Sequence, residues 1–205
     1  VLNVTVFDEA EVAEPLALEA PPSCRIVASG AWALRLHGPE GPDRRRVEAM
    51  VEQTYAQAFG GRLRRHYPCL MSLEDEAGRI LGAAGFRRAA DERLFLEQYL
   101  DAPVEAVATA RLGREIPRTE IAEIGGLACR APGASIVLFA GLARRLARSG
   151  HTVAAATTTG LLRRTFARAG FDCEPLTEAR ADRLDGGPDD WGDYYARAPI
   201  VMAGR

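Results

Sequence analysis

Apolar and polar residues alternate along this chain in patterns that predict helices separated by short strands. Residues 44–59 repeat apolar side chains at helical spacing and carry Glu and Arg on the opposite face, which predicts an amphipathic helix. Further helical patterns cover 94–112, with an interruption at Pro103, and two later segments that each end at a glycine, 136–149 and 161–169.

Short apolar runs between these helices predict the strands of one sheet, and two of them flank a turn and predict a β-hairpin. The strands are expected at residues 2–7, 32–37, 69–73, 79–86, 120–124, 153–156, 171–176 and 199–203. The order of the elements predicts one α+β or α/β three-layer domain over 23–205, with a mixed central sheet flanked by helices. Residues 1–22 turn acidic and rich in Ala and Pro after the first run, which predicts an N-terminal extension.

The stretch around which we expect the domain to be organised covers residues 119–135. Polar and apolar residues alternate over 120–124, which predicts a half-buried strand whose glutamates share one face. Gly125 and Gly126 follow, and glycine inside a strand marks a bulge or a close backbone approach. The sequence therefore predicts a cleft beside Glu123.

A loop of small residues connects this strand to the helix that begins at residue 136. Ser135 is expected to cap that helix, whose unpaired N–H groups would form an anion site. A carboxylate on a strand, a small-residue loop and a helix N-terminus together could hold a phosphate-bearing thioester beside a general base.

The composition narrows the possible chemistry. The 26 basic and 28 acidic residues nearly cancel, so net charge favours neither nucleic acid nor a membrane as a partner. Every basic residue is arginine, which excludes a Schiff-base lysine and a Walker A lysine. Arginine binds phosphate or carboxylate with a rigid fork, although a genome that favours arginine codons explains the composition equally well.

The cysteines and the hydropathy indicate a protein of the reducing cytoplasm. Cys24, Cys69, Cys129 and Cys173 are far apart, and the three histidines do not fall at metal-ligand spacing, so neither a disulfide framework nor a metal site is expected. The first residues lack the features of a signal peptide. The longest apolar run, 136–143, is far shorter than a membrane span, so no stable membrane insertion is expected.

Two family resemblances follow from these motifs. Residues 130–135 resemble the R/Q-x-x-G-x-G/A pyrophosphate loop of GNAT acyltransferases, with Arg130, Gly133 and Ser135 in the marked places. Ser135 departs from the final Gly or Ala of that loop, and Pro132 removes one amide donor. Most of the chain resembles the thermostable hemolysin family, which is similar in layout to acyl-homoserine-lactone synthases. The segments that carry this resemblance are 55–68 (YAQAFGGRLRRHYP), 85–89 (GFRRA), 94–101 (LFLEQYLD), 123–128 (EIGGLA) and 191–195 (WGDYY).

The resemblance implies a GNAT-like fold and an N-acyltransferase that moves a fatty acyl group to the amine of an amino acid or similar small metabolite. The donor would be acyl-ACP or acyl-CoA, with no permanently bound cofactor and no metal. Glu123 would act as the general base, with Glu97 and Tyr99 as secondary catalytic candidates. The donor phosphate would be bound by Leu127, Ala128, Cys129, Arg130, Gly133, Ala134 and Ser135. Candidate residues for the substrate are Arg87, Gly125, Gly126, Trp191 and Tyr194, although the family has Asn where this chain has Gly126.

The sequence leaves alternative roles open for several of these residues. Glu123 or Arg87 can instead belong to a structural ion pair, and without the family Tyr99 reads as core and Glu97 as surface. The basic segment 62–68 is either solvated or part of the acceptor pocket. The general acid and the oligomeric state are undetermined.

The partner and the overall activity also have alternatives. Basic side chains on the last two helices favour an acidic acyl carrier protein over CoA, although solvated helix faces would look the same. They are Arg144, Arg145, Arg148, Arg163, Arg164 and Arg168. The competing functions are a cytolysin that acts on membranes directly and a non-catalytic domain that binds an acyl carrier or metabolite.

Overall fold

A mixed sheet organises the chain in this computed structural model, which describes residues 2–7, 13–18, 32–168 and 170–205. Over these residues the sheet has nine strands in the order β2-β1-β3-β4-β5-β6-β7-β9-β8. The strands are β1 (Leu2–Phe7), β2 (Ala13–Leu18), β3 (Trp32–His37), β4 (Cys69–Glu74), β5 (Ile80–Arg88), β6 (Ile121–Cys129), β7 (Val153–Thr158), β8 (Cys173–Glu178) and β9 (Ile200–Gly204).

Helices cover both faces of this sheet. They are α1 (Arg44–Phe59), α2 (Val104–Leu112), α3 (Ala134–Arg148) and α4 (Gly160–Arg168). Leu70 and Ala83 pack against α1, whereas their neighbours Met71 and Ala84 point to the other face and pack against α3. The α2 side chains join the face of α1, and α4 joins the face of α3 through Phe166. This is the predicted arrangement of a mixed sheet flanked by helices.

Strands β6 and β7 lie side by side only over their first halves. They pair in parallel from Ile121 with Val153 to Ile124 with Ala156. Beyond that point β6 continues to Cys129 against β5, and β7 continues to Thr158 against β9. The two strands therefore diverge, and the loop that leads into α3 follows the free half of β6.

Three local predictions around β6 need correction. Glu120 does not share a face with Glu123, because it belongs to a 3-10 turn that precedes the strand. It binds Arg114 at 3.0 Å instead. Ser135 does not cap α3, since Gly133 holds the cap position with φ of 81° and Ser135 is already the second helical residue. The 94–112 segment divides into a 3-10 turn, Phe95–Tyr99, and α2.

The N-terminal region contains more sheet than the sequence predicts. The run 2–7 is a strand as expected, but Ala13–Leu18 also forms a strand where an irregular stretch is expected. It pairs antiparallel with β1, which in turn pairs parallel with β3. Cys24, residue 169 and the proposed boundary at 22/23 lie outside the described residues.

The described residues contain neither a membrane-spanning helix nor a cluster of metal ligands. None of the helices in the described part is long and apolar enough to cross a membrane. Within those same residues, no group of three or more His, Cys, Asp and Glu side chains is placed to hold a metal ion.

Candidate active site

Glu123 is enclosed in the middle of β6. Its side chain lies on the α1 and α2 face, because Ala122 and Ile124 on either side pack against α3. The carboxylate is 1% exposed and accepts hydrogen bonds from the peptide N–H groups of Phe95 (2.8 Å) and Leu96 (3.1 Å). These two donors begin the 3-10 turn at 95–99, so the turn holds the carboxylate at its open end.

The surroundings of Glu123 bring the pKa of its carboxyl group close to neutral pH. Burial raises the pKa of its carboxyl group to about 7, although the Arg87 guanidinium, the two peptide N–H groups and a hydrogen bond with Tyr67 oppose that rise. The Arg87 Nε lies 3.3 Å from a carboxylate oxygen. A carboxyl group with this pKa can accept a proton and release it again near pH 7, which a general base requires.

Tyr67 lies over the neighbouring strands and completes this cluster. A Cβ at Gly85 would lie 2.5 Å from the Tyr67 Cβ, and one at Gly125 would overlap the Tyr67 hydroxyl. Gly85 on β5 and Gly125 on β6 are direct partners in the sheet. The ring therefore spans both glycines, and its hydroxyl lies beside Gly125, two residues from Glu123 on the same face of β6. These glycines are explained by the close approach of the ring.

Arg87 connects Tyr67 with Glu123. Its guanidinium carbon lies 4.5 Å from the centre of the Tyr67 ring, within the range of a cation–π contact. Nη1 lies 3.5 Å from Glu92, which is near the limit of a hydrogen bond. Nε is buried and forms no hydrogen bond within the described residues. Arg87 is thus held mainly by charge and ring contacts. The ion pair that the sequence leaves open as the alternative for Arg87 and for Glu123 is formed between these two residues.

Glu97 occupies a separate cluster, and its geometry argues against the predicted catalytic role. Each carboxylate oxygen lies 2.7 Å from an Arg118 nitrogen. The peptide N–H groups of Leu94 (2.8 Å) and Val104 (3.1 Å) complete its shell. Burial acts to raise the pKa of Glu97, but the Arg118 bond and the two N–H groups outweigh it and lower the pKa to about 2. Glu97 anchors the chain between the 3-10 turn and α2.

The aromatic candidates form one cluster beside the 3-10 turn. Trp191 lies 5.4 Å from Phe95 and 5.5 Å from Tyr194, measured between ring centres. The Tyr99 hydroxyl bonds to that of Tyr195, and burial together with this bond raises the pKa of Tyr99 above its usual range. Tyr99 is 1% exposed, so the structure places it in the core. Trp191 thus contacts Phe95, whose N–H binds Glu123, and Tyr194 lies one ring further away.

A bulge separates Glu123 from the predicted phosphate loop. Gly125 on β6 pairs with Gly85 on β5, and Ala128 pairs with Ala83. The chain advances by three residues on β6 but by only two on β5, so β6 carries one extra residue. Gly126 lies within this bulge at φ of 60°, a conformation that favours glycine. The prediction that these glycines disrupt the regular strand is correct.

The predicted donor-binding residues follow the bulge directly. Ala128 is buried under α1, and the Cys129 thiol, whose pKa burial raises to about 12, packs in the core beside Gly82. The side chain of Ala128 is therefore not available to a ligand, and that of Cys129 is only partly exposed. Arg130 is exposed, donates to Gln53 at 2.8 Å and lines a cavity of about 630 Å³ between α1 and β5. Gly133 then starts α3.

The structure brings together a smaller set than the sequence predicts. Glu123, Arg87 and Gly125 meet at one point, with the bulge and the loop further along the same strand. Tyr67 is the residue that sequence reasoning missed, although it lies within the family-like segment 55–68. Glycine inside the predicted strands, at positions 85 and 125, indicates a close approach to the sheet and is the sequence signal for this ring.

Comparison with known proteins extends these findings. The family model described as "Thermostable hemolysin" matches residues 37–205, and no curated protein sequence matches the chain. Similar solved structures include the AHL synthase LasI, with 14% identity, a TM-score of 0.55 and coverage of 86% of this chain and 90% of that chain. Another is FeeM, an N-acyl amino acid synthase from uncultured soil microbes, with 15% identity, a TM-score of 0.56 and coverage of 84% and 88%.

A third similar structure is TofI in a ternary complex with an inhibitor and MTA, with 15% identity, a TM-score of 0.55 and coverage of 83% and 90%. At these identities the likeness concerns the fold. The expected GNAT-like architecture, shared with acyl-homoserine-lactone synthases, is confirmed.

Proposed function

The chain belongs to the thermostable hemolysin family, and we propose that it is an N-acyltransferase that moves a fatty acyl group from a carrier thioester to the amine of a small metabolite. The observation that carries the proposal is Glu123, an enclosed carboxylate whose pKa is raised to about 7 and which lies one bulge before the candidate phosphate loop. The fold supports it, since FeeM is an N-acyl amino acid synthase and LasI an AHL synthase.

The proposed reaction begins when the acceptor amine loses a proton to Glu123 and attacks the thioester carbonyl. The carbonyl carbon becomes tetrahedral and its oxygen gains negative charge. Peptide N–H groups at the bulge, where Gly126 turns the backbone of β6, would stabilise that oxygen from the edge that faces β7. Collapse of the intermediate breaks the C–S bond and forms the amide, and the thiolate takes up the proton.

An acceptor with a carboxylate fits the charge beside Glu123. Arg87 is partly buried there, with a buried Nε that forms no hydrogen bond within the described residues, and its guanidinium could bind an acceptor carboxylate while keeping its contact with Glu123. We therefore propose an amino acid or a similar metabolite as the acceptor. Trp191, which packs against Phe95, and Tyr194, which packs against Trp191, would border the acceptor or acyl chain.

The donor is proposed to bind at the other end of β6. The loop 130–135 and the start of α3 would hold the phosphate of a pantetheine arm, assisted by the exposed Arg130. We favour acyl-ACP over acyl-CoA, because Arg145 and Arg164 are exposed on the α3 and α4 side and would attract an acidic carrier.

Acyl transfer measured by release of free thiol tests this proposal. The protein is incubated with acyl-ACP or acyl-CoA and a panel of amino acids, and the amide product is confirmed by mass spectrometry. We expect amine-dependent thiol release, and a loss of about 100-fold in kcat/KM for Glu123→Gln. Glu120→Gln is the matched control, because Glu120 precedes the same strand but binds Arg114. Unchanged turnover in Glu123→Gln would contradict the assignment of the base.

The family description favours a second candidate, direct lysis of cells by the protein. Both ideas are compatible if the acyltransferase makes an acylated amphiphile that itself disrupts membranes. Purified protein added to red cells with and without acyl donor and amine separates them. Lysis that requires both substrates supports the transferase, whereas lysis by the protein alone supports a cytolysin.

A further inference from the structure

The carboxylate of Glu123, the proposed base, is not directly accessible to a substrate. Glu123 is 1% exposed, and its two oxygens face the peptide N–H groups of Phe95 and Leu96, the Arg87 guanidinium and the Tyr67 hydroxyl. An acceptor amine bound outside this shell cannot touch the carboxylate. A proton that reaches Glu123 must therefore pass through one of these four groups or displace it.

Only one of the four groups can pass a proton on. Peptide N–H groups do not exchange protons on the timescale of catalysis, and an arginine beside a carboxylate stays protonated. A tyrosine hydroxyl can accept a proton on its oxygen while it donates its own. Tyr67 is also partly exposed, in contrast to the carboxylate that it covers.

We propose that Tyr67 is a further catalytic residue, which relays the proton of the acceptor amine to Glu123. This inference rests on the proposed acyl transfer. As the amine N–H bond breaks, the proton bonds to the Tyr67 oxygen, and the hydroxyl proton of Tyr67 bonds to the Glu123 carboxylate. Tyrosine is neutral before and after this step. When the C–S bond breaks, the proton returns through the same hydroxyl to the thiolate, so that amine and thioester become amide and thiol.

The structure holds the Tyr67 hydroxyl in the position that a relay requires. The ring rests on Gly85 and Gly125, where no side chain intervenes, and the Arg87 guanidinium lies 4.5 Å from its centre. The segment that leads to Tyr67 is tied to the C-terminal part of the chain. Arg62 N–H donates to the Asp190 carbonyl at 2.6 Å, and Arg64 forms an ion pair with the Asp190 side chain, also at 2.6 Å.

The relay predicts the behaviour of Tyr67→Phe, Glu123→Gln and the double variant. Phenylalanine keeps the ring on the glycines and beside Arg87 but removes the hydroxyl, so the fold is retained. We expect kcat to fall by 10- to 100-fold in Tyr67→Phe with little change in KM, and the double variant to be no slower than Glu123→Gln. Tyr55→Phe is the control, since that half-buried tyrosine lies on the same face in α1.

Rates in mixtures of light and heavy water give an independent readout that a structural role would not change. Two protons move together in the relay, so the wild-type rate should depend on deuterium content along a curve, and the Tyr67→Phe rate along a straight line. A full rate in Tyr67→Phe, or losses that multiply in the double variant, would overturn the relay and leave the transferase standing. A wild-type protein that releases no thiol with any donor and amine would refute both.

Discussion

Two buried glutamates show how the same residue type acquires opposite properties in this molecule. Glu97 faces a bidentate arginine and two peptide N–H groups, which outweigh burial and keep it ionised. Glu123 has a more distant arginine contact, and burial dominates. Glu97 is a catalytic candidate only through the family resemblance. Its partner Arg118 is 21 residues away, and no local pattern reveals that pairing. The pKa difference separates an anchor from a candidate base.

The raised pKa of Glu123 predicts a specific pH dependence of stability. In the unfolded chain this group titrates near 4.5 and in the fold near 7, so the folded state binds more protons between these values. The free energy of unfolding should therefore fall as pH rises from 4.5 to 7, by about 3 kcal/mol for this group. Urea unfolding at several pH values measures this fall. In Glu123→Gln the fall should be absent, and an identical pH slope in the two proteins would contradict the raised pKa.

The anchor role of Glu97 predicts a loss of stability without a loss of chemistry. Glu97→Gln places an amide against Arg118 and should lower the free energy of unfolding by about 2–4 kcal/mol. Glu105→Gln is the matched control, because Glu105 contacts the same arginine at 2.9 Å with a less buried carboxylate. The folded Glu97→Gln protein should keep acyl transfer within threefold of wild type. A stable variant with a 100-fold slower rate would restore Glu97 as a catalytic residue.

At the scale of elements, the site depends on how β5 and β6 receive the Tyr67 ring. The two glycines leave a flat surface, and the bulge at Gly126 follows immediately. The ring of Tyr67 fills the space above Gly125, and β6 is no longer paired with β7 beyond Ile124. In the proposed function, β6 would therefore serve the base on one face and the donor along its edge.

This packing predicts that a methyl group at residue 125 is costly only while the ring is present. Gly125→Ala should destabilise the wild type by about 2 kcal/mol, since its Cβ would overlap the Tyr67 hydroxyl. In a Tyr67→Ala background the same change should cost less than about 0.5 kcal/mol. Gly160→Ala, whose nearest contact would be 3.7 Å away, should show no coupling to Tyr67. Equal costs of Gly125→Ala in both backgrounds would contradict the placement of the ring.

The sequence predicts local elements better than their contacts. Helix α1 has the predicted bounds, 44–59, because its apolar repeat is regular and glycines follow it. The apolar repeat at 136, 139, 140, 143, 146 and 147 predicts the buried stripe of α3, and this prediction is partly wrong. Ala143 and Ala147 are exposed, whereas Val137, Leu138 and Leu142 are buried. Alanine is compatible with the buried and the exposed face of a helix, so packing against the sheet determines which alanines of α3 are buried. The Tyr67 site joins a loop to two strands. The glycines at 85 and 125 indicate a close approach to the sheet, but no pattern in the sequence identifies Tyr67 as the residue that makes it.

For the whole molecule, the two helical layers suggest separate tasks. The α1 and α2 side encloses Glu123, Tyr67 and the aromatic cluster, whereas the α3 and α4 side carries exposed arginines, among them Arg145 in the last turn of α3 and Arg164 in α4. Leu161, at the start of α4, is 69% exposed. The side chain of Arg168 lies outside the described residues and plays no part here. Such a surface suits an acidic carrier whose arm enters at the strand edge.

The carrier surface predicts a difference between the two donors. Arg145→Glu combined with Arg164→Glu should raise KM for acyl-ACP about tenfold, because both charges that attract the carrier are reversed. The KM for acyl-CoA should change less than twofold. Arg111→Glu, on exposed α2, serves as the control. An unchanged KM for acyl-ACP, measured at low salt where charge effects are largest, would contradict docking on this side.

The proposed acyl transfer depends on Glu123 acting as a base near neutral pH. Its most direct test is the pH dependence of acyl transfer in a single turnover, compared between wild type and Glu123→Gln. The wild-type rate should rise as pH increases through about 7, when Glu123 becomes ionised, and then level off. The variant should be about 100-fold slower and lack this rise. A variant with the rate and pH profile of the wild type would contradict the central claim.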